Sequence, residues 1–265
     1  MITLASLASF DAGTLALLGA IYAASAVFSG LSGFGFSAIG ALTLCIVPPE
    51  FGVCMLMVLS VFTQAMSLGT LRAELRAHNA RWRDGFLPYA AGGVIGLPFG
   101  LEILARAPTR TLVSGLGALL LAYAIYNIFK PEALRITRPD TGLGSALLVG
   151  AVGGIVGGFS AFPGSALVVW NGLKNVPKEQ ARALIQPFIL LMQVIALSIL
   201  ACARPSLFDA RLLTLLVGSL PLAWAGNRMG LELYRRSSQV NYRIVTLAAL
   251  GVSGFSLVLK ATLSA

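Results

Sequence analysis

The polar side chains within the long apolar stretches of this sequence are hydroxyls and amides rather than carboxylates. The acidic residues nearest to those stretches, such as Glu102 and Glu232, stand close to their ends. Cation pumps and proton relays generally need carboxylates inside their membrane spans, so the sequence disfavours both classes. Neutral hydrogen-bonding groups suit a small anion instead. The candidates are Ser37, Gln64, Ser160, Ser165, Asn171 and Gln193.

The four letters GFSA occur at 35–38 and again at 158–161. Each copy stands near the middle of an uncharged run, 12–49 or 141–173, which as a straight helix would reach roughly 50 Å or more. The hydrocarbon core of a membrane is only about 30 Å thick. Because glycine and Pro163 permit turns, we expect both runs to bend or double back at these motifs.

A turn within the membrane needs partners for its freed backbone groups, and these are found only inside protein or water. The helix that restarts after each turn exposes N–H groups with partial positive charge, which favour an anion. We therefore predict an anion site between the two turns, with aromatic side chains as walls. The predicted substrate-binding residues are Gly33, Gly35, Phe36, Ser37, Gln64, Gly158, Phe159, Ser160, Pro163, Asn171, Arg182 and Gln193.

Structural roles are the alternatives for several of these residues. Glycine-rich stretches in membrane helices often serve close packing alone, and buried glutamines often join helices by hydrogen bonds. Arg182 stands at the start of an apolar run, where its side chain can lean toward an anion or snorkel to the headgroups.

Composition places the chain among integral membrane proteins. Hydrophobic residues make up 57% of its 265 residues and charged residues only 11%, against about 25% charged in soluble domains. Charges divide the chain into eight uncharged runs, most of them long enough for one helical crossing. The runs are 12–49, 51–71, 85–101, 111–129, 141–173, 183–203, 212–227 and 244–259.

The two halves of the chain are related in sequence. At an offset of 123 residues one GFSA motif meets the other, VFTQAMSL at 61–68 resembles LLMQVIAL at 190–197, and GLEIL at 100–104 resembles GLELY at 230–234. We infer a duplication, with a first membrane repeat at 1–129, a cytoplasmic linker at 130–141 and a second membrane repeat at 142–265.

The positive charges indicate how the repeats are oriented. If each of the two long runs is a hairpin that crosses twice, 14 of the 19 Lys and Arg residues fall on one side; with single crossings they divide almost evenly. Cytoplasmic loops carry the excess of positive charge. The sequence thus predicts an all-α polytopic protein with two inverted repeats of about five crossings each.

Other functional classes find little support. Cys45, Cys54 and Cys202 lie in apolar surroundings and His78 is the only histidine, so we expect no metal or cofactor and no enzyme. The net charge of +9 gathers in loops, where it faces lipid headgroups rather than nucleic acid. An anion channel of the same fold is the main alternative to a carrier. The oligomeric state, monomer or homodimer, stays open.

The order of the glycine patterns resembles the TauE/SafE sulfite exporter family over nearly the whole chain. The motifs are GLSGFGF, GGVIGLPFGLEIL at 92–104, GGIVGGFSAFPGSALVVWNGL at 153–173 and ARALIQPF at 181–188. The resemblance implies a secondary transporter that moves sulfite, an organosulfonate or a related small anion across the bacterial inner membrane. FSAFPG replaces a run of glycines found in many members, which leaves the anion, the direction and the coupling ion open.

Overall fold

The computed structural model describes residues 11–70, 72, 85–129, 142–174, 176, 178–236, 251, 254–259 and 262. Every regular element in those residues is helical. The α-helices are α1 (Ala12–Ser32), α2 (Phe36–Gly40), α3 (Pro49–Thr70), α4 (Leu87–Arg106), α5 (Thr109–Phe129), α6 (Leu143–Ser160), α7 (Gly164–Leu173), α8 (Lys178–Ala203) and α9 (Ala210–Arg236). The predicted linker at 130–141 lies outside the described residues.

Local chemistry defines both ends of α1. Asp11 caps its N-terminus by accepting hydrogen bonds from the Thr14 hydroxyl and from the Thr14 N–H at 3.2 Å, and these bonds lower the pKa of Asp11. At the other end Gly33 takes a left-handed conformation, with φ of 82°, and its N–H donates to Ser29 O. Glycine allows that conformation without steric cost, so the helix stops there.

Both long uncharged runs are broken, as the sequence predicts. α1 ends at Ser32 and α2 begins at Phe36; α2 then continues into the 3-10 segment Ala41–Cys45, which returns along α1 so that Gly40 lies beside Ser25. In the second run α6 is followed by the ten-residue helix α7. Each returning limb reaches only about 15–20 Å, roughly half of the hydrocarbon core.

Five helices in the described part of the chain are long and apolar enough to cross a membrane: Ala12–Ser32, Pro49–Gly69, Leu87–Arg106, Leu143–Ser160 and Glu179–Ala203. α9 is longer than any of them, but its polar residues Asn227 and Arg228 and its charged last turns reduce its hydropathy. Large hydrophobic side chains such as Ile95, Phe99 and Val217 stay exposed on the helices, as lipid contact requires. The chain is a multi-pass membrane protein.

Glycines join α4 from the first half to α6 from the second. Gly92, Gly96 and Gly100 face the backbone of α6 so closely that a Cβ on any of them would collide with it. Gly154 and Gly158 face α4 in the same way. Contacts advance by four residues in the same direction on both helices, so the pair is parallel. This is the small-residue packing by which membrane helices approach closely.

The same arrangement joins α1 from the first half to α9 from the second. A Cβ at Gly226 would lie 2.7 Å from Ala23 O, and a Cβ at Gly230 would collide with Val27 O. In return, Gly30 faces the backbone around Asn227. This pair is also parallel. Each half therefore contributes one helix to each of two close-packed pairs.

The central helices α3 and α8 run antiparallel. Glu50 near the start of α3 accepts a 2.6 Å hydrogen bond from Arg204, which follows the end of α8. At the opposite end Leu68 packs against the small cluster of Leu231 and Ala183, and Ala183 is near the start of α8. The buried glutamines of these two helices consequently approach the helix breaks from opposite directions.

Candidate functional site

The first helix break is held by side chains from both halves. The Gln64 amide of α3 donates to Gly33 O at 3.1 Å, and the Gly35 N–H donates to Ser32 Oγ at 2.9 Å. Gly33 also touches α8, because a Cβ placed on it would lie 2.9 Å from Arg182 Nε and 3.2 Å from Gln186 Nε2. The freed backbone of this turn thus finds its partners inside the protein.

The second break repeats this arrangement with a different residue at its centre. Ala161 ends α6 in the left-handed conformation, with φ of 56°, the position that Gly33 occupies in the first break. Its carbonyl accepts a hydrogen bond from the Gln193 amide of α8 at 3.1 Å and another from the Ser37 hydroxyl. Gln64 and Gln193 therefore each donate to the carbonyl of the left-handed residue at the break in their own half.

The two breaks touch each other. The rings of Phe34 and Phe162 stack with centroids 6.4 Å apart, and Ser37 from the first break bonds the Ala161 carbonyl of the second. Along the 26-residue helix α8, the first break lies beside Gln186 and the second beside Gln193. These glutamines are separated by about 10 Å of helix, so the breaks lie on either side of its middle.

The two breaks are not equivalent at the offset of 123 that the GFSA motifs indicate. The alignment of one GFSA motif with the other is therefore wrong. The first GFSA follows its break, with Gly35 before α2; the second precedes its break, with Ser160 as the last residue of α6. The left-handed residues Gly33 and Ala161 are 128 positions apart. The motif match arises because both turns use the same few small residues.

The corrected offset pairs residues that the sequence prediction did not pair. Ser32 matches Ser160, and each hydroxyl donates to the carbonyl four residues back, at 2.7 and 2.6 Å. Ser37 then matches Ser165, whose hydroxyl donates to Phe162 O at 3.0 Å. The stacked aromatic pair and Gln186 are not among the predicted substrate-binding residues. The matches GLEIL with GLELY and Gln64 with Gln193, at offsets of 130 and 129, carried the better signal.

Arg182 is buried between the halves, so the alternative of snorkelling to headgroups is wrong. Its side chain is 6% exposed and donates to Gly30 O at 2.9 Å and to Leu31 O at 3.5 Å. The guanidinium lies 4.2 Å from the ring centre of Tyr234 in α9. Arg182 therefore bonds the last carbonyls of α1, which carry partial negative charge.

The remaining predicted residues are distributed around this centre. Phe36 is fully buried at the start of α2, and Pro163 precedes α7 and packs on Gly157. Phe159 is partly buried in the core, and Gly158 belongs to the packing face toward α4. Asn171 lies near the far end of α7, about 10 Å along the helix from the break. The structure thus gathers Gly33, Ser37, Gln64, Arg182 and Gln193.

The gathered polar groups are closed off from solvent. Ser37, Gln64 and Gln193 are each no more than 1% exposed, and Gln186 is fully buried. Among the described residues, the amide oxygens of all three glutamines have no hydrogen-bond partner. Buried polar atoms of this kind are few in native proteins and generally indicate water, an ion or a ligand.

A protein-family model described as Sulfite exporter TauE/SafE matches residues 16–257 of the chain. The match takes in both breaks and all nine helices given above, apart from the first residues of α1. Neither a curated protein nor a solved structure matches the chain.

Proposed function

This chain belongs to the sulfite exporter TauE/SafE family, and from that premise we propose that it is a secondary transporter that carries a small anion by alternating access. The anion is sulfite, an organosulfonate or a related sulfur or carboxylate anion, and the membrane is the bacterial inner membrane. The main support for the proposal is the pair of helix breaks, which meet through the stacked rings of Phe34 and Phe162 and the bond from Ser37 to Ala161. Transporters of many folds bind their substrates at such discontinuous helices.

In this proposal the two halves are inverted repeats. Three observations support it: the equivalent helices α3 and α8 are antiparallel, each half lends one helix to each parallel pair, and the breaks match at a constant offset. A closed site between inverted halves is the geometry from which either half can open. The complete burial of Gln64 and Gln193 favours a carrier over an open channel.

The proposed topology places segments 72–84 and 174–182 in the cytoplasm. Single cysteines at Arg76 and Lys178, in a variant without the three native cysteines, should react with an impermeant maleimide only after the membrane is permeabilised. A cysteine at the exposed Ser206, beyond the opposite end of α8, should react from outside. The reason is the antiparallel pairing of α3 with α8 together with the bias of positive charge.

The Ser206 variant is the positive control for this labelling experiment. External labelling at Lys178 but not at Arg76 would separate the two segments and contradict the inverted arrangement. Internal labelling of all three positions would instead place the wrong end of α8 in the cytoplasm.

Ser37→Ala should weaken anion binding several-fold, because the bond from its hydroxyl to Ala161 O joins the two breaks between which the anion is proposed to bind. Binding of sulfite to the purified protein, measured by calorimetry, is the test. The ligand-free protein should lose only about 1 kcal/mol of stability, because Gln193 still donates to Ala161 O.

Substitutions of Ser165 and Ser160 test whether the offset of 128 or the GFSA motif identifies the equivalent of Ser37. Ser165→Ala should weaken binding like Ser37→Ala if the offset of 128 is functional. Ser160→Ala should then have little effect, because its hydroxyl bonds Val156 O one turn back in α6 rather than a carbonyl of the break. Unchanged affinity in both Ser37→Ala and Ser165→Ala would remove these serines from the site, and a loss confined to Ser160→Ala would restore the GFSA prediction.

A further inference from the structure

In the described part of the chain, the helix breaks leave the amide oxygens of three buried glutamines without partners. Gln64 Oε1 and Gln193 Oε1 are buried and have no partner among the described residues, and the same holds for both amide atoms of Gln186. The amide orientation follows from the contacts, because only the NH₂ group can bond the carbonyls of Gly33 and Ala161. Gln64 and Gln193 therefore each donate from the amide NH₂ group to the backbone, and their amide oxygens remain available to a ligand.

The side-chain hydroxyls around the breaks have their hydrogens engaged. Ser37 donates to Ala161 O, Ser160 to Val156 O and Ser165 to Phe162 O. A hydroxyl carries one hydrogen, so each of these side chains can offer a ligand only its lone pairs. A ligand made only of acceptors would leave the two glutamine oxygens desolvated and unpaired.

The burial of these amide oxygens makes the site selective for ligands that carry an O–H or N–H group. A buried acceptor without a partner is costly, and a site built to bond an O–H or N–H group strongly rejects an analogue that lacks it. Gln64 bonds the carbonyl of the residue before Phe34, and Gln193 bonds the carbonyl of the residue before Phe162, so each amide stands next to one of the two stacked rings where the breaks meet.

We propose that the transported anion carries a hydrogen-bond donor beside its negative group, and that the Gln64 and Gln193 amide oxygens accept hydrogen bonds from it. The ligands of this class are protonated oxyanions, such as hydrogensulfite, and sulfonates with a hydroxyl or ammonium group. The inference rests on the proposed function, which supplies the anion, and adds the requirement for a donor.

An isosteric pair of sulfonates tests the proposal. Isethionate and propane-1-sulfonate have the same charge and length, and a methyl group replaces the hydroxyl in the second. Calorimetry on the purified full-length protein should give a dissociation constant for isethionate about tenfold or more below that for propane-1-sulfonate. Sulfite, measured below and above the pH of its second ionisation, should bind more tightly in its protonated form.

The outcomes separate the inference from the proposed function. Equal affinities for the two sulfonates, or tighter binding of propane-1-sulfonate, overturn the donor requirement while an anion carrier stands; so does tighter binding of fully deprotonated sulfite. A sodium requirement combined with equal affinities would assign the glutamine oxygens to a cation and also overturn it. If neither sulfite nor either sulfonate binds, the proposed transport of sulfur anions fails, and the inference fails with it.

A glutamine variant checks that these oxygens carry the selectivity. Gln193→Met keeps the length of the side chain but removes its polar atoms, and Ser37 still donates to Ala161 O. The preference for isethionate should shrink by several-fold, and Gln64→Met should behave alike. Melting temperatures report whether each variant is folded. A folded variant that keeps the full preference would overturn the assignment of its glutamine.

Discussion

Methionine in place of Arg182 is expected to lower the free energy of unfolding by about 3–5 kcal/mol, a large fraction of the stability of most proteins. The guanidinium is 6% exposed, donates to two carbonyls at the end of α1 and stacks on Tyr234. Its removal leaves Gly30 O and Leu31 O buried next to the turn without these donors. The melting temperature and the yield of folded protein in detergent measure the effect.

Two further variants calibrate this expectation. Arg182→Lys keeps the charge but loses the planar fork that reaches two carbonyls at once, so we expect an intermediate loss. Arg211→Met removes an exposed arginine at the start of α9 and should leave the melting temperature within about a degree of the parent. An Arg182→Met protein as stable as the parent would show that the carbonyls find other partners and that Arg182 is free to serve the anion.

Gly158→Val is expected to abolish most of the folded protein, at a cost of about 3 kcal/mol or more. A Cβ at this position would lie 2.6 Å from Leu101 N and 2.7 Å from the carbonyl carbon of Gly100, both of them backbone atoms of α4. Backbone cannot rotate away as a flexible side chain can, so the two helices must separate. The fraction of monodisperse protein after solubilisation gives the readout.

The matched control for this substitution is Gly218→Val on α9, where an added Cβ meets nothing within 4 Å. That variant should fold like the parent. If Gly158→Val also folds normally but loses anion binding, Gly158 lines the site as the sequence predicted, and the packing face toward α4 tolerates more than its geometry suggests.

The positions of the helices were largely predictable, because charge and apolar runs determine which segments can enter a membrane. The runs 51–71 and 111–129 agree with α3 and α5 to within two residues at each end. The run 212–227 falls short of Ala210–Arg236 because α9 continues through charged residues beyond the apolar run. Charge marks the limits of the hydrophobic environment, whereas a helix ends where its backbone hydrogen bonds end.

The register of the breaks could not be read from the letters GFSA. A left-handed residue ends both α1 and α6, but it is glycine at 33 and alanine at 161. Four identical small residues fit either side of such a turn, since neither side demands a large or charged side chain. The paired glutamines were more informative, because a buried amide needs a specific partner and so holds its place relative to the break.

The burial of Arg182 was also beyond the sequence. A cation at the edge of an apolar run usually reaches the headgroups, and only the three-dimensional arrangement brings the end of α1 beside it. The carbonyls that bind it come from residues about 150 positions earlier in the chain. No local pattern encodes a pairing across that distance.

The parallel pairs α1 with α9 and α4 with α6 have a consequence for biosynthesis. The glycine face of α1 leaves the ribosome first, yet its partner begins only at Ala210, which at about 5–20 residues per second takes on the order of ten to forty seconds longer to make. During that interval α1 must wait beside the translocon or in lipid with its close-packing surface uncovered. The first half expressed alone would keep both of its glycine faces unmatched, so co-expressed halves should accumulate together and be degraded separately.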